Sequence, residues 1–339
     1  LEKEERMRIG IAFDLKDQYK FSSDLPEDIY EEFDIEDTII SIENVLKSLG
    51  HEVVRLYGGK KFLENIICEK VDIVFNIAEG FGTRSREAHI PSILELLGIP
   101  FTGSDPLTLA LTLDKTMTKR VVQSAGIRTP EFLEIGPSLQ FKPEALNGMR
   151  FPLILKLSRE GSSIGLRRNS KVKNFEELNS KLKELSIYKQ PILVERFIPG
   201  KEITVGVIGN GNKKRVIGMM EIAPRNIPGE DFIYSLEVKR NWREEVSYIV
   251  NPEIPEKTKK EIERLSLNIY EILGCRDISR IDFRLDSDFT PYFLEVNPLP
   301  GLNPEYSDLP MISRGYGMSY ENLIEEILNS ALERYGIKK

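Results

Sequence analysis

The chain has 339 residues, with 47 lysines and arginines against 54 aspartates and glutamates and a formal net charge of −7. That length suits two or three domains of about 100–200 residues, and the acidic balance gives no overall attraction to nucleic acid or an anionic membrane. Cys68 and Cys275 are the only cysteines and His51 and His89 the only histidines, which argues against a disulfide framework, a Cys or His metal site and a His-centred triad.

No apolar run approaches the roughly 18 residues of a membrane helix, and the charged first residues are not signal-like, so a cytoplasmic address is expected. Met7 is a candidate start, with residues 1–6 either an expression remnant or an alternative leader. Chemistry must rest on carboxylates, lysines, arginines and backbone amides.

Strand and helix patterns alternate over the first third, which predicts an α/β fold opening on a doubly wound parallel sheet. Residues 8–13 read as an apolar strand. Ile35, Ile39, Ile42, Leu46 and Leu49 recur at helical spacing and stop at Gly50. Strands are expected over 52–56 and 71–75, then a Gly-bearing loop over 76–83 and a helix carrying Ile90, Ile93, Leu94 and Leu97. A helix over 107–125, a strand over 151–157, a glycine and serine loop over 158–165 and a helix over 175–185 follow. Strands over 192–197 and 202–208 precede a turn at 209–212. A helix over 255–273, strands over 278–285 and 292–296 and a helix over 320–335 complete the chain. Three parts are expected: 1–105, Rossmann-like; 106–190, carrying the loop; and 191–339.

The sharpest local feature is Arg280-Ile281-Asp282-Phe283-Arg284, a turn over 286–290, then Phe293-Leu294-Glu295-Val296-Asn297. Alternation puts Arg280, Asp282 and Arg284 on one face, and a turn centred near Asp288 brings Asp282 almost opposite Glu295. Two carboxylates and an amide oxygen then suit Mg²⁺ carrying nucleotide phosphates. Read alone, the pattern also describes a surface hairpin with a cross-strand ion pair. The second feature is Lys156, followed by Arg159-Glu160-Gly161-Ser162-Ser163-Ile164-Gly165, whose amides and hydroxyls could cover a triphosphate. Taken singly, a plain hairpin connection is the better reading of it, and no Walker A spacing is present. The third is Glu195-Arg196-Phe197-Ile198 with Glu202, able to present backbone groups to an adenine edge and a carboxylate to ribose, or else an ordinary amphipathic strand.

These pieces, with 96–104 (Leu-Leu-Gly-Ile-Pro-Phe-Thr-Gly-Ser), Leu113-Asp114-Lys115, Lys119 and Pro300-Gly301, occur in order from about Val71 onward. Together they resemble the ATP-grasp superfamily and, within it, the D-alanine:D-alanine ligases. The resemblance implies a three-domain fold with ATP held between the central and C-terminal parts, and amide-bond formation between amino acids or small peptides through an acyl phosphate. By resemblance, Lys115 and Lys156 neutralise ATP phosphates while Ser162 and Ser163 close over them, Ser163 counting among the catalytic groups. Glu195, Phe197 and Ile198 hold the adenine and Glu202 the ribose. Asp282, Glu295 and Asn297 bind two Mg²⁺ ions, with Mn²⁺ as an alternative. Arg280 and the Gly301 amide stabilise the oxyanion, Ser307 contacts the acceptor's carboxylate, and Lys239 is a lid lysine that reaches the γ-phosphate. Homodimers are usual among such relatives.

The sequence departs from that family where amino-acid substrates would sit. The first strand runs into Asp14 rather than a Gly-Gly loop, and ten acids lie between Asp14 and Asp37 against two lysines. That stretch reads either as a solvated loop or as an attractor for a cationic donor. Asn76-Ile77-Ala78-Glu79-Gly80 replaces a His-Gly, and Arg240 stands where a lid tyrosine follows Lys239. ATP use is therefore expected with altered amino-acid substrates, Glu79 and Arg240 among their contacts. The competing readings are a true D-alanine:D-alanine ligase with a remodelled donor pocket and a nucleotide-binding regulator without turnover. A dinucleotide-dependent oxidoreductase fails, because no Gly-x-Gly-x-x-Gly follows Phe13.

Overall fold

The computed structural model describes residues 6–19, 25–141, 146 and 148–337, arranged around three β-sheets. The expected leader or remnant lies, except for Arg6, outside the described residues, as do Lys20 and Asp24 of the acid-rich stretch. The first sheet holds β1 (Arg8–Ala12), β2 (Glu52–Arg55) and β3 (Ile73–Asn76), all parallel in the order β2-β1-β3, with α1 (Glu36–Ser48), α2 (Gly59–Cys68) and α3 (His89–Leu97) around it. Parallel strands are covered on both faces and so read as apolar runs. Ile9 and Ile11 pack in one core with Ile39, Ile42 and Leu46 of α1, while Ala12 packs in another with Phe62, Ile66 and Leu94 of α2 and α3.

Next come α4 (Pro106–Leu113), α5 (Lys115–Ser124), β4 (Phe132–Ile135), β5 (Leu153–Leu157), β6 (Lys171–Val172), α6 (Phe175–Leu185) and β7 (Ile192–Arg196). The single helix expected over 107–125 is two, because Asp114 ends one and caps the other. Its backbone is extended (φ −86°, ψ 93°) and its carboxylate accepts from the Met117 amide at 3.0 Å. The four strands form an antiparallel sheet in the order β4-β7-β5-β6. The boundary expected at 190 therefore cuts a sheet: β7 pairs with β4 and β5, a partnership that strand order alone does not disclose.

The remainder holds β8 (Glu202–Ile208), β9 (Arg215–Pro224), α7 (Leu236–Arg240), α8 (Trp242–Glu245), β10 (Val246–Val250), α9 (Glu256–Ile272), β11 (Ile278–Leu285), β12 (Pro291–Asn297), α10 (Asp308–Gly315) and α11 (Tyr320–Arg334). Its antiparallel sheet runs β10-β9-β8-β11-β12. α5 and α9 pack on one face of this sheet; α10 and α11 lie on the other, where α11 shares a core with α1 and joins the last part of the chain to the first. No helix among the described residues is long and apolar enough to cross a membrane.

The acid-rich stretch is not a solvated loop. Asp28 is fully buried and accepts from the Gly165 amide (2.9 Å), Arg167 Nη2 (3.0 Å) and the Tyr188 hydroxyl (2.7 Å), which fastens residues 25–34 against the glycine and serine loop. Asp14 accepts from the Tyr19 hydroxyl at 2.6 Å and the Gly80 amide at 2.8 Å. Tyr19, Tyr30, Phe33 and Phe81 stack together over the junction. Interleaved aromatic residues give the segment an apolar side, and a buried carboxylate with three donors is stable where a lone one is not.

A second buried carboxylate, Asp277, joins distant parts. It accepts from Arg334 Nη2 (2.8 Å), the Gly103 amide (2.8 Å) and Asn210 Nδ2 (2.6 Å), while Arg334 also donates to the Phe101 carbonyl at 2.8 Å. Asp277→Ala leaves Arg334 half-buried without its carboxylate, at a cost of about 3–5 kcal/mol. A marked fall in the urea midpoint is the expected result.

Candidate active site

The four-stranded and five-stranded sheets face each other across a cavity of 470 Å³, and every residue assigned above to nucleotide, metal, oxyanion or substrate lines it. β5 supplies Lys156, β7 Glu195, β11 Arg280 and Asp282, and β12 Glu295 and Asn297. The loop after β5 brings Ser162 and Ser163, α7 brings Lys239 and Arg240, and the loop after β3 brings Glu79. Phe197, Ile198 and Glu202 lie around the start of β8, and Gly301 and Ser307 precede α10.

The carboxylate hairpin has the register expected of it: Asp282 pairs with Glu295 and Arg280 with Asn297, with a bulge between Asp282 and Phe283. Arg280 forks onto Asp282 (Nε to Oδ1 3.1 Å, Nη2 to Oδ2 2.8 Å), and Asn297 Nδ2 lies 3.3 Å from Oδ2. Glu295 stands 3.4 Å from Lys115 Nζ. Burial would raise the Glu295 carboxyl, but Lys115, Lys156 and Arg280 outweigh it and hold it down at about 2. The donors are two carboxylates and one neutral amide oxygen, an all-oxygen set that fits a hard divalent cation.

On the opposite wall, Glu195 is 1% exposed and sits between Lys156 (2.7 Å) and Lys119 (2.9 Å). Burial again opposes ionisation, and the two ammonium groups overcome it, so the carboxyl lies at about 2. Its side chain is thus committed to the lysines rather than to an adenine edge. Burial disfavours the charge on Lys156, yet Glu195 and Glu295 more than restore it and raise its pKa. Lys115 begins α5 at the break made by Asp114, whose Oδ2 also takes Arg84 (3.1 Å) and Arg159 (3.2 Å). The lysine amide donates to the Ser158 carbonyl at 2.9 Å and its Nζ to the Glu160 carbonyl, which aims it along the loop.

Ser162 (φ 48°) and Ser163 (φ 59°) are both left-handed, a conformation costing roughly 1–2 kcal/mol in each non-glycine residue. Consecutive amides in such a bend form an anion-binding concavity, and strain of this kind collects at functional loops. Ser163 Oγ donates to the Tyr234 carbonyl at 2.9 Å, tying the loop to the segment that leads into α7. Lys239 lies in the same helix, its pKa lowered by burial against the pull of Asp308. Arg240 pairs with Glu31 at 2.6 Å and Glu27 at 3.3 Å, so it clasps the acid-rich segment.

Other residues of the cavity had been given no role, and Arg284 had been placed only on the strand face of Asp282. Arg284 donates to Glu202 Oε2 (2.7 Å), the Ile198 carbonyl (2.9 Å) and the Phe232 carbonyl (2.7 Å); its place two residues beyond Asp282 was the available signal. Asp308 lies 3.3 Å from Arg280 Nη1, and burial raises its carboxyl despite that neighbour. Glu32, Glu79 and Glu87 bring carboxylate oxygens within 4.8 Å of one another. Arg86 reaches Glu32 and, at 3.3 Å, Glu160. Burial, then Glu32, push the Glu87 carboxyl up to about 8. No sequence spacing links residues 32, 79 and 87, because they meet only when the acid-rich segment folds back.

Comparison with known proteins agrees with this geometry. The family model described as D-ala D-ala ligase C-terminus matches residues 121–329. The chain is 32% identical over 292 residues to a D-alanine--D-alanine ligase of Bordetella petrii, covering 86% of this chain and 85% of the relative. It is 33% identical over 291 residues to a D-alanine--D-alanine ligase of Aquifex aeolicus, covering 85% and 92%. The fold matches the crystal structure of a Bacillus anthracis D-alanine--D-alanine ligase complexed with ATP, with a TM-score of 0.75, 23% identity and coverage of 97% and 99%. With a family model matched over most of its length and relatives above 30% identity across most of the chain, the protein belongs to the D-alanine--D-alanine ligase family of ATP-grasp ligases.

Proposed function

We propose that this ligase uses ATP and Mg²⁺ to join the carboxylate of one amino acid or small peptide to the amine of another. The observation that carries the reading is the meeting of Lys115, Lys156, Arg280, Asp282 and Glu295 in one cavity with the strained serine loop. An unactivated carboxylate is a poor electrophile, so its oxygen attacks the γ-phosphorus and ADP departs, leaving an acyl phosphate. The acceptor amine then attacks the acyl carbon, phosphate leaves, and the amine proton passes to solvent or a neighbouring base. Phosphoryl transfer needs positioning and positive charge more than a protein nucleophile.

Lys115 and Lys156 hold the phosphates, and the amides of Ser162 and Ser163 cover them. The backbone of 196–198 faces the adenine, since the Glu195 carboxylate is committed elsewhere. Glu202 takes the ribose with the oxygen that Arg284 leaves free. Asp282, Glu295 and Asn297 would hold two Mg²⁺ ions, or Mn²⁺ in their place, and bound metal would neutralise charge on the transferring phosphoryl group. Arg280 and the Gly301 amide stabilise the oxyanion, Lys239 follows α7 toward the γ-phosphate, and the Ser307 hydroxyl meets the acceptor. Glu79 lies at the donor end. Arg240, held by Glu27 and Glu31, contributes there by keeping the acid-rich segment in place rather than by touching substrate.

The relatives are named for D-alanine on both sides, and D-alanine is the first substrate to try. Arg280 and Lys239 count against a regulator without turnover, because nucleotide binding alone does not demand them. A cytoplasmic homodimer is part of this reading. Ile67 of α2 and Leu96 of α3, 77% and 85% exposed, are apolar residues on helices that pack in one core of the first sheet, and sedimentation would report the assembly.

Phosphate release with ATP, Mg²⁺ and an amino-acid panel tests the activity, with mass analysis of the product. Asp282→Ala and Glu295→Ala should each lower kcat by about 100-fold or more; unchanged ATP consumption in either folded variant would refute the assignment. Lys239→Ala should reduce kcat by at least about tenfold, with a smaller change in KM for ATP if the lysine acts on closure.

A further inference from the structure

The donor end of the cavity holds more negative charge than its own cations balance. Glu32, Glu79 and Glu87 converge there with Glu160 close by, and Arg86 is the cation that bridges Glu32 and Glu160. Lys115 is nearby, but its ammonium is directed at Glu295 and the Glu160 carbonyl. Glu79 and Glu87 have no hydrogen-bond or ion-pair partner among the described residues. Glu87 is only 7% exposed and lines the cavity, so this is an unpartnered buried carboxylate facing the substrate space. Burial there favours the protonated carboxyl, and an incoming cation favours the carboxylate in its place.

Resting on the ligase reading, we infer that Glu32, Glu79 and Glu87 form a pocket for a primary ammonium on the donor's side chain, so that the donor is a diamino acid. Three oxygens no more than 4.8 Å apart leave a point within about 2.8 Å of each, the length of an N⁺–H···O⁻ bond. A primary ammonium carries three N–H donors, one for each carboxylate. One carboxylate suffices for an α-ammonium, and Arg86 offsets another. The remaining acids call for a second positive charge on the same molecule, one that D-alanine lacks. Arg86 also disfavours a bare divalent ion here, since its guanidinium stands against Glu32.

The test uses 2,3-diaminopropionate, 2,4-diaminobutyrate, ornithine and lysine in both enantiomers. Each is compared with the neutral amino acid that carries a methyl in place of the terminal ammonium. Calorimetric titration of the wild-type protein, which requires no turnover, should find at least one diamino acid bound about tenfold or more tighter than its neutral counterpart, in line with a charge-assisted contact. Glu87→Gln should bring that ratio close to one. If no diamino acid exceeds its neutral counterpart, the pocket is not for ammonium. Competition by Mg²⁺ or Mn²⁺ alone, lost in Glu87→Gln, would place a metal there instead and overturn the proposal. Because binding is read without ATP, a ligase that proves inactive leaves this result standing, and an active one with no charge preference refutes only the pocket.

Stability supplies an independent check. A carboxyl held near 8 when folded and about 4.5 when unfolded binds more protons in the native state between those values, so stability falls as pH rises through that window. Glu32, Glu79, Arg86, Lys115 and Glu160 are the charged groups acting on it. The melting temperature of Glu87→Gln should exceed that of wild type at pH 8 by about 2 °C or more, with a smaller gap at pH 5. A variant no more stable at pH 8 shows that Glu87 is not an unbalanced charge.

Discussion

Glu195 and Lys119 are each about 1% exposed and 2.9 Å apart, and they tie the four-stranded sheet to the helix that packs on the five-stranded one. Isolated, either charge would be expelled by its desolvation cost. Paired, with Lys156 on the other carboxylate oxygen and Thr129 accepting from Lys119, each compensates the other. The arrangement fixes the distance between the walls of the cavity. It also delivers Lys156 charged to a place where burial would strip its proton. The hairpin across the cavity works by the same balance, with Lys115, Lys156 and Arg280 keeping Glu295 ionised against its burial.

The glycine and serine loop carries its strain by contacts of a different kind. Two left-handed serines need support from outside the loop, and three attachments provide it: Ser163 to the Tyr234 carbonyl, Gly165 to Asp28, and Arg86 to the Arg159 carbonyl at 2.7 Å. Two of the three come from residues N-terminal to position 90. The first part of the chain thereby closes the site formed by the other two, and Arg240 extends the clasp to α7.

The carboxylate hairpin and the serine loop were legible in the sequence because each is local. A turn near Asp288 and strand alternation are enough to set Asp282 across from Glu295, and the observed register follows from those two facts. A glycine and serine run after an apolar strand is likewise readable without knowing its neighbours. The helix break at Asp114 was concealed by apolar periodicity on both sides of it, although aspartate's preference for caps over helix interiors was the clue. The sheet that β7 joins, and the meeting of residues 32, 79 and 87, depend on contacts between segments far apart in the chain. No period or spacing encodes them. The acid-rich stretch looked solvated by composition, but Tyr19, Tyr30 and Phe33 supply an apolar side to its described residues.

The strands of the cavity and its ends stand on different physical footings. Lys156, Glu195, Asp282 and Glu295 project from β5, β7, β11 and β12, whose ladders hold them rigidly. The ends are formed by loops and helix termini, where a single residue changes the local charge without disturbing a sheet. Asp308 shows the consequence at one end, where Arg280 is shared between Asp282 at 2.8 Å and Asp308 at 3.3 Å. Burial raises the Asp308 carboxyl despite the guanidinium beside it. Both ends of the cavity thus turn carboxylates toward its interior, Asp308 at one and Glu32, Glu79 and Glu87 at the other, while the strands between them carry the paired lysines and carboxylates.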